Sequence, residues 1–219
     1  MNKESRMTMT TRSGKVEIYL VSADSIVTVN WGDGSESKIG KFDDDNEYYW
    51  HPSLKHRYSD KGTKHTITIT GENIVKLDCN SNKLTSLDVS LNPELEVLVC
   101  YGNKLTALDV SQNTALEQLI CGENDLTELD VSANTALTRL SCHMNLLKAL
   151  DVSKNTALTV LFCEYSHITE LDLSANKALK ELSCGYSPLT TLDVSQNTAL
   201  TKLDCCGIQL TELGQSKKI

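Results

Sequence analysis

Cysteine, aspartate and histidine are the residues of this chain with chemistry to offer, and their spacing decides how much of it is usable. Seven of the eight cysteines, Cys79, Cys100, Cys121, Cys142, Cys163, Cys184 and Cys205, recur every 21 residues. Thiols in such numbers point to a disulfide framework, a zinc site or a nucleophile. On parallel in-register strands they would form one column at about 4.8 Å steps with parallel Cβ vectors. A disulfide needs Cβ atoms about 3.8 Å apart and turned toward each other, and a straight column cannot surround a metal tetrahedrally. The column therefore reads as reduced thiols packed as small hydrophobes, with Cys206 on the opposite parity and exposed. The five histidines, His51, His56, His65, His143 and His167, fall in no catalytic motif. A Cys163/His143 dyad would need the strand parity inverted. The expectation is a non-enzyme without a cofactor.

Aspartate forms a second column, Asp88, Asp109, Asp130, Asp151, Asp172 and Asp193. Adjacent unit charges at this spacing repel by roughly 1 kcal/mol even in water. Either nearby Ser and Thr hydroxyls and turn amides compensate, or the column is a row of weak calcium sites. A separate acidic loop carries Asp43, Asp45 and Glu47 without the ordered spacing of a dedicated calcium site. A third column, Asn92, Asn113, Asn134, Asn155, Asn176 and Asn197, falls at a turn, where a side-chain amide can satisfy buried backbone groups.

These columns exist because the chain repeats. Leu95-Glu-Val-Leu98-Val-Cys100-Tyr-Gly-Asn103-Lys-Leu105-Thr-Ala-Leu108-Asp-Val-Ser111-Gln-Asn113 recurs as Leu116 to Asn134, Leu137 to Asn155 and onward, about seven copies from Ile74. A unit this short cannot bury its own apolar face and must stack on the next. Alternation after Leu119 predicts a short strand with Leu119 and Cys121 inward and Ile120 outward. The second half of the unit predicts another strand, with Leu129 and Val131 inward and Asp130 outward, and leaves little room for a helix.

The unit resembles the leucine-rich repeat, meeting L-x-x-L-x-L-x-x-N/C-x-L with cysteine in the sixth slot, and is most similar to its 21-residue internalin-like bacterial variant. That resemblance implies a mostly β right-handed solenoid, over residues 73–219, in a surface or secreted protein that binds other macromolecules. Residues 12–72 lose the period and read as β structure: Lys15-Val-Glu-Ile-Tyr-Leu20, Ser25-Ile-Val-Thr-Val-Asn30 and His65-Thr-Ile-Thr-Ile-Thr70. Within them Trp31-Gly-Asp-Gly34 and His56-Arg-Tyr58 resemble the polycystic-kidney-disease (PKD) type of immunoglobulin-like β-sandwich. Such a module implies an extracytoplasmic spacer or adhesion unit. It also supplies the cap that a solenoid end requires, and the two parts are expected to share a core.

Net charge is −8, and no basic run exceeds Lys217-Lys218. Nucleic acid and anionic membranes therefore lack an electrostatic handle. The Met1–Thr8 segment has no apolar signal region and no 18 apolar residues run together, so no transmembrane segment is expected. An extracytoplasmic setting, with its leader outside this sequence, follows from the resemblance alone. The seventh copy decays, with Ile208 in an asparagine slot, which either blunts the solenoid end or lets two molecules stack end to end.

Comparing copies separates scaffold from site. Outward residues of the second half-unit are monotonous, whereas those of the first vary: Val97/Val99/Tyr101, Gln118/Ile120/Gly122, Arg139/Ser141/His143, Val160/Phe162/Glu164 and Glu181/Ser183/Gly185. The next column reads Glu123, Met144, Tyr165, Tyr186, and beside it Ser166 and Ser187 replace asparagine. The candidate binding residues are Tyr101, Ile120, Arg139, His143, Phe162, Glu164, Tyr165 and Tyr186. A protein partner gripped by the aromatic anchors is one reading. The other is a glycan stacked on Tyr165 and Tyr186, with Glu164 and Arg139 as polar contacts.

Overall fold

The computed structural model describes residues 5–22, 26–40, 53–60, 62–209 and 211–214. Asp43, Asp45, Glu47 and the rest of that acidic loop lie outside the described residues. All regular structure among the described residues is β. Six strands precede the repeats: β1 (Ser5–Thr11), β2 (Lys15–Ser22), β3 (Val27–Asn30), β4 (Glu36–Ile39), β5 (Leu54–Arg57) and β6 (His65–Gly71). Strand β1 lies ahead of residue 12, where the sequence places the start of the module. Its alternation is there in Met7 and Met9, both fully buried.

The repeats contribute seven parallel strands to one sheet, joined by six complete turns: β7 (Ile74–Asp78), β9 (Val97–Val99), β10 (Gln118–Ile120), β11 (Arg139–Ser141), β12 (Val160–Phe162), β13 (Glu181–Ser183) and β15 (Lys202–Asp204). Register is strict, with Leu119 opposite Leu98 on one side and Leu140 on the other. We number the coils one to seven from β7 to β15. Leu119, Cys121, Leu126 and Val131 are fully buried, and so are their equivalents in the neighbouring coils, Leu140, Cys142, Leu147 and Val152. Six thiols of the column are buried and Cys206 is exposed. Burial drives the buried thiols' pKa upward, to about 12 at Cys184, so they remain protonated hydrophobes.

The second strand expected in every coil forms only at the ends, as β8 (Leu84–Asp88), β14 (Thr191–Asp193) and β16 (Glu212–Gly214). Strand β8 is regular because β1 pairs with it antiparallel. In the middle coils the inward leucines hold their places, but adjacent segments share single backbone bonds such as Asp125 N–H to Leu105 C=O, 2.9 Å. Two half-bonded chains do not make a ladder.

Side chains take over the missing bonds. Asn134 Nδ2 donates to the carbonyls of Val110 and Asn113 at 2.9 and 2.8 Å, and each copy from Asn113 to Asn197 does likewise. The amide serves carbonyls only, since its Oδ1 is buried without a partner. A second ladder runs inside the other turn, where Asn124 Nδ2 donates to the carbonyls of Cys100 and Cys121, and its Oδ1 accepts Leu105 N–H. The aspartates end in tight turns: Asp130 Oδ1 accepts Ser132 N–H at 2.8 Å, and the other five do the same with their own serine. This is the hydrogen-bonded alternative to a calcium row. Those N–H groups, followed by the serine hydroxyls, hold the carboxyls of Asp109, Asp130, Asp151, Asp172 and Asp193 below the ordinary Asp range.

The N-terminal strands extend both faces of the solenoid. In one sheet the order is β4-β3-β6-β1-β8; in the other, β5 and β2 continue the solenoid sheet, with β2 antiparallel to β7. Met7, Val16, Ile18, Val29 and Ile67 belong to the same hydrophobic cluster as Leu77 through Leu200. The two parts thus share one core, as expected. The Trp31–Ser35 turn is fixed by Asp33 Oδ1, which accepts the Ser35 N–H and hydroxyl at 3.0 and 2.6 Å. Gly32 lies at φ 81°, and a Cβ there would strike the Thr66 carbonyl oxygen. Tyr58 closes the cap by donating its hydroxyl to Trp31 C=O at 2.7 Å.

Two stability outcomes follow. Leu140→Ala should lose about 2–5 kcal/mol through its cavity, and Asn134→Ala about 1–3 kcal/mol through two unpaired carbonyls, both read by urea titration. Because the column aspartates have depressed folded-state pKa values, their contribution is complete above the unfolded value of about 3.9 and is lost as pH falls through the lower folded values. Thermal scans should give a level Tm from neutral pH down to about 5 and a declining one below about 4.

Candidate functional site

Registered stacking converts the variable positions into rows along the first-strand sheet. One row is Asp78, Val99, Ile120, Ser141, Phe162, Ser183, Asp204, and a parallel one is Lys76, Val97, Gln118, Arg139, Val160, Glu181, Lys202. Strand β2 prolongs both, placing Tyr19 opposite Asp78 and Val21 opposite Lys76.

The centre of this face is more closed than parity implies. Val97, Val99 and Ser141 point outward yet are buried. Ile120, Arg139, Phe162 and Tyr101 are half-buried. The Arg139 guanidinium lies over the Phe162 ring, 5.2 Å from its centroid. Long side chains here lie across their neighbours in the next coil, so the face is covered by its own residues.

The next row outward contains Tyr101, Gly122, His143, Glu164, Gly185 and Cys206. His143 folds back over Gly122, where any Cβ would collide with the imidazole. Its Nδ1 is 3.0 Å from Ser141 Oγ. Ser141 is only 4% exposed, so its hydroxyl has little solvent access. Cys163 is inward and protonated, its thiol pKa raised by burial and neighbouring charge, which leaves a dyad with His143 without a thiolate. Glu164 is half-buried, and its Oε2 is buried with no hydrogen-bond partner.

The rim of the sheet is different. Met144, Leu146, Tyr165 and Tyr186 are exposed at 44%, 43%, 46% and 54%. Tyr165 and Tyr186 stack face to face, centroids 4.5 Å apart and planes within 5°. The far face of Tyr186 rests on Gly207, whose missing Cβ makes the room. Six of the candidate residues therefore gather in coils four to six. Tyr101 and Ile120, two to four coils away from the tyrosines, do not join them.

Backbone conformation marks this rim slot. Met144, Tyr165 and Tyr186 have φ of 50°, 54° and 52°; the same slot holds Ser81 and Glu123 at 54° and 52° in coils one and three, and glycine, Gly102 and Gly207, in coils two and seven. The left-handed region costs a bulky residue about 1 kcal/mol or more. The fold imposes it, because the N–H of each slot residue bonds the next coil, Tyr165 to Gly185 C=O at 3.0 Å and Tyr186 to Cys206 C=O at 2.8 Å. Beside the tyrosines the inner asparagine ladder stops at Asn145. Ser166 and Ser187 take its place, with their hydroxyls 3.0 Å apart.

Sequence reasoning placed Met144 in the slot column but left it out of the site, and missed Leu146. The signal for Leu146 was available: its column otherwise reads Lys83, Lys104, Asp125, His167 and Pro188. A groove of about 720 Å³ bordered by Asp109, Asp130 and Asp151 lies on the opposite side of the solenoid, and a smaller one by the first coil is lined by Glu17, Tyr19, Asn80 and Ser81. Among the described residues no group of three or more His, Cys, Asp or Glu is arranged to hold a metal ion, and no helix is long and apolar enough to cross a membrane.

No family model matches the chain and no curated protein is similar to it in sequence. Solved structures are similar. The functional domain of InlJ from Listeria monocytogenes, which includes a cysteine ladder, is 40% identical with a TM-score of 0.64 over 64% of this chain and 32% of its own. A leucine-rich repeat protein from Leptospira interrogans is 25% identical, TM-score 0.55, over 57% of this chain and 34% of its own. YopM from Yersinia enterocolitica shares the fold at 23% identity and TM-score 0.57, over 67% of this chain and 32% of its own. The chain thus spans about a third of the length of each of these proteins. With its 21-residue period, inward cysteine column and asparagine turns, the repeat region of this chain is a leucine-rich repeat solenoid of the internalin-like kind.

Proposed function

We propose that this chain is a non-catalytic recognition protein that binds a protein partner at the rim of its first-strand sheet. Met144, Leu146, Tyr165 and Tyr186 supply the apolar anchors, with Phe162, Arg139, His143 and Glu164 alongside. One observation carries the reading: large apolar side chains occupy a backbone slot that favours glycine, and there they bury only about half their surface. Folding gains little from them at that position. Exposed aromatic residues held rigidly are what a binding surface requires.

Stacking geometry separates protein from glycan. A sugar ring needs an open aromatic face, but Tyr165 and Tyr186 cover one another and Gly207 covers the remaining face of Tyr186. Of the pair's ring faces only that of Tyr165 toward coil four is left beside edges and hydroxyls, and this mixed surface suits apolar and polar side chains of a polypeptide. Resemblance to the internalins supports an extracytoplasmic setting, at the cell surface or secreted, and the N-terminal strands serve as cap. Nothing in this reading requires a second copy of the chain.

Glycine at the slot offers a clean test. Tyr186→Gly removes backbone strain of about 1 kcal/mol and a ring pair worth about 0.5–1.5 kcal/mol, so the two nearly cancel. The double variant Tyr165→Gly/Tyr186→Gly should keep its Tm within a few degrees and lose most affinity for a partner captured by the wild type, as measured by surface plasmon resonance. Full affinity in a folded double variant would defeat the proposal. Saturable, tyrosine-dependent binding on a glycan array would transfer it to carbohydrate.

A further inference from the structure

The rim has an electrostatic partner that its apolar residues do not explain. Glu164 precedes Tyr165 in the chain, and its Oε2 is buried without a donor. Asp204, in coil seven, is exposed and spends one oxygen on Cys206 N–H at 3.0 Å. Both carboxylates act on Tyr165: after partial burial and Tyr186 itself, the charges of Asp204 and Glu164 hold its phenol above the ordinary pKa. Between coils five and seven, coil six offers only Ser183 and Gly185 on these rows, with the Cys206 carbonyl oxygen closing over Gly185. Two strand spacings, about 9.6 Å, separate the larger residues on either side of this low floor.

Neighbouring cations are engaged elsewhere. Arg139 lies over Phe162, and Lys202, at the other end of β15 on the same face, pairs with Glu181 at 3.3 Å. Register therefore places the carboxylates of Glu164 and Asp204 on either side of this low floor, beside the stacked tyrosines. Such a set matches a group that only donates, which among side chains means guanidinium or ammonium. The stems of arginine and lysine are apolar and lie along aromatic edges while the head reaches a carboxylate. A net charge of −8 favours the approach of a basic partner over an acidic one.

Resting on the rim reading above, we propose that the segment received there is basic: an arginine or lysine of a protein partner lays its stem on Tyr165 and Tyr186 and places its charge between Glu164 and Asp204.

A displayed random-peptide library selected on the immobilised full chain tests this with no partner chosen in advance. Selected peptides, made synthetically, are titrated by fluorescence anisotropy against wild type, Glu164→Gln, Asp204→Asn and the folded Tyr165→Gly/Tyr186→Gly variant, in low and high salt. The expected peptides carry Arg or Lys beside apolar residues. Each carboxylate variant should weaken them about tenfold in low salt and flatten the salt dependence, and the tyrosine variant should abolish binding. Tyrosine-dependent peptides that lack a basic residue and ignore Glu164→Gln and Asp204→Asn overturn the basic-segment inference and leave the rim reading standing. Peptides indifferent to the tyrosine variant, or no tyrosine-dependent binder at all, overturn both.

Discussion

Everything in this molecule depends on the parallel backbone ladder that holds one coil directly over the next. Each strand of three residues is too short to be stable alone, and each coil has an apolar interior that only its neighbours can close. Once Leu98, Leu119, Leu140, Leu161 and Leu182 are stacked in register, every other position must also form a file. A file of like groups is tolerable only if the groups suit one another at about 4.8 Å. Thiols do so as compact, protonated hydrophobes. Asparagines do so by donating to carbonyls of the coil behind. Aspartates do so because each carboxylate is held by its own serine before it faces the next.

The same constraint explains where the surface departs from the scaffold. A ladder bond from each rim slot N–H to the following coil fixes that slot in the left-handed region whether or not the residue suits it. Glycine fills it at two coils, at no steric cost. Serine, glutamate and methionine fill it in coils one, three and four, and tyrosine in coils five and six, where the inner asparagine ladder also gives way to serine. Two local concessions thus coincide in coils five and six, each costing on the order of 1 kcal/mol, and this break in an otherwise consistent repeat is what motivates the proposed site. The aromatic pair is preorganised by this backbone, so little ordering entropy remains to oppose binding.

The N-terminal module joins the ladder as well as flanking it. Strand β2 pairs antiparallel with β7, and β1 pairs antiparallel with β8, so both open edges of the first coil are satisfied and the apolar interior runs on unbroken. An exposed strand edge is a template for aggregation. Covering it with β1 and β2, one on each sheet, gives the N-terminal strands and the solenoid a common core, and it sets Tyr19 and Val21 in the same outward rows as Phe162 and Arg139.

By itself the sequence determined the period, the inward and outward parity, the cysteine, asparagine and aspartate files, and the placing of Tyr165 and Tyr186 in one column on adjacent coils. A strict 21-residue repeat leaves no other way to bury leucine. Strand β1 was not read because Met7 and Met9 fall outside the repeat, and the second strand of each coil was over-read because apolar alternation survives even where backbone bonds are single. Tertiary structure alone decided exposure and backbone strain. Val97, Val99 and Ser141 share their parity with Ile120 yet are covered, while Leu146 and Met144 stand clear. Parity is a property of one strand, but solvent access is set by side chains arriving from the coils on either side, and the φ of a turn residue by the coil to which its N–H must bond.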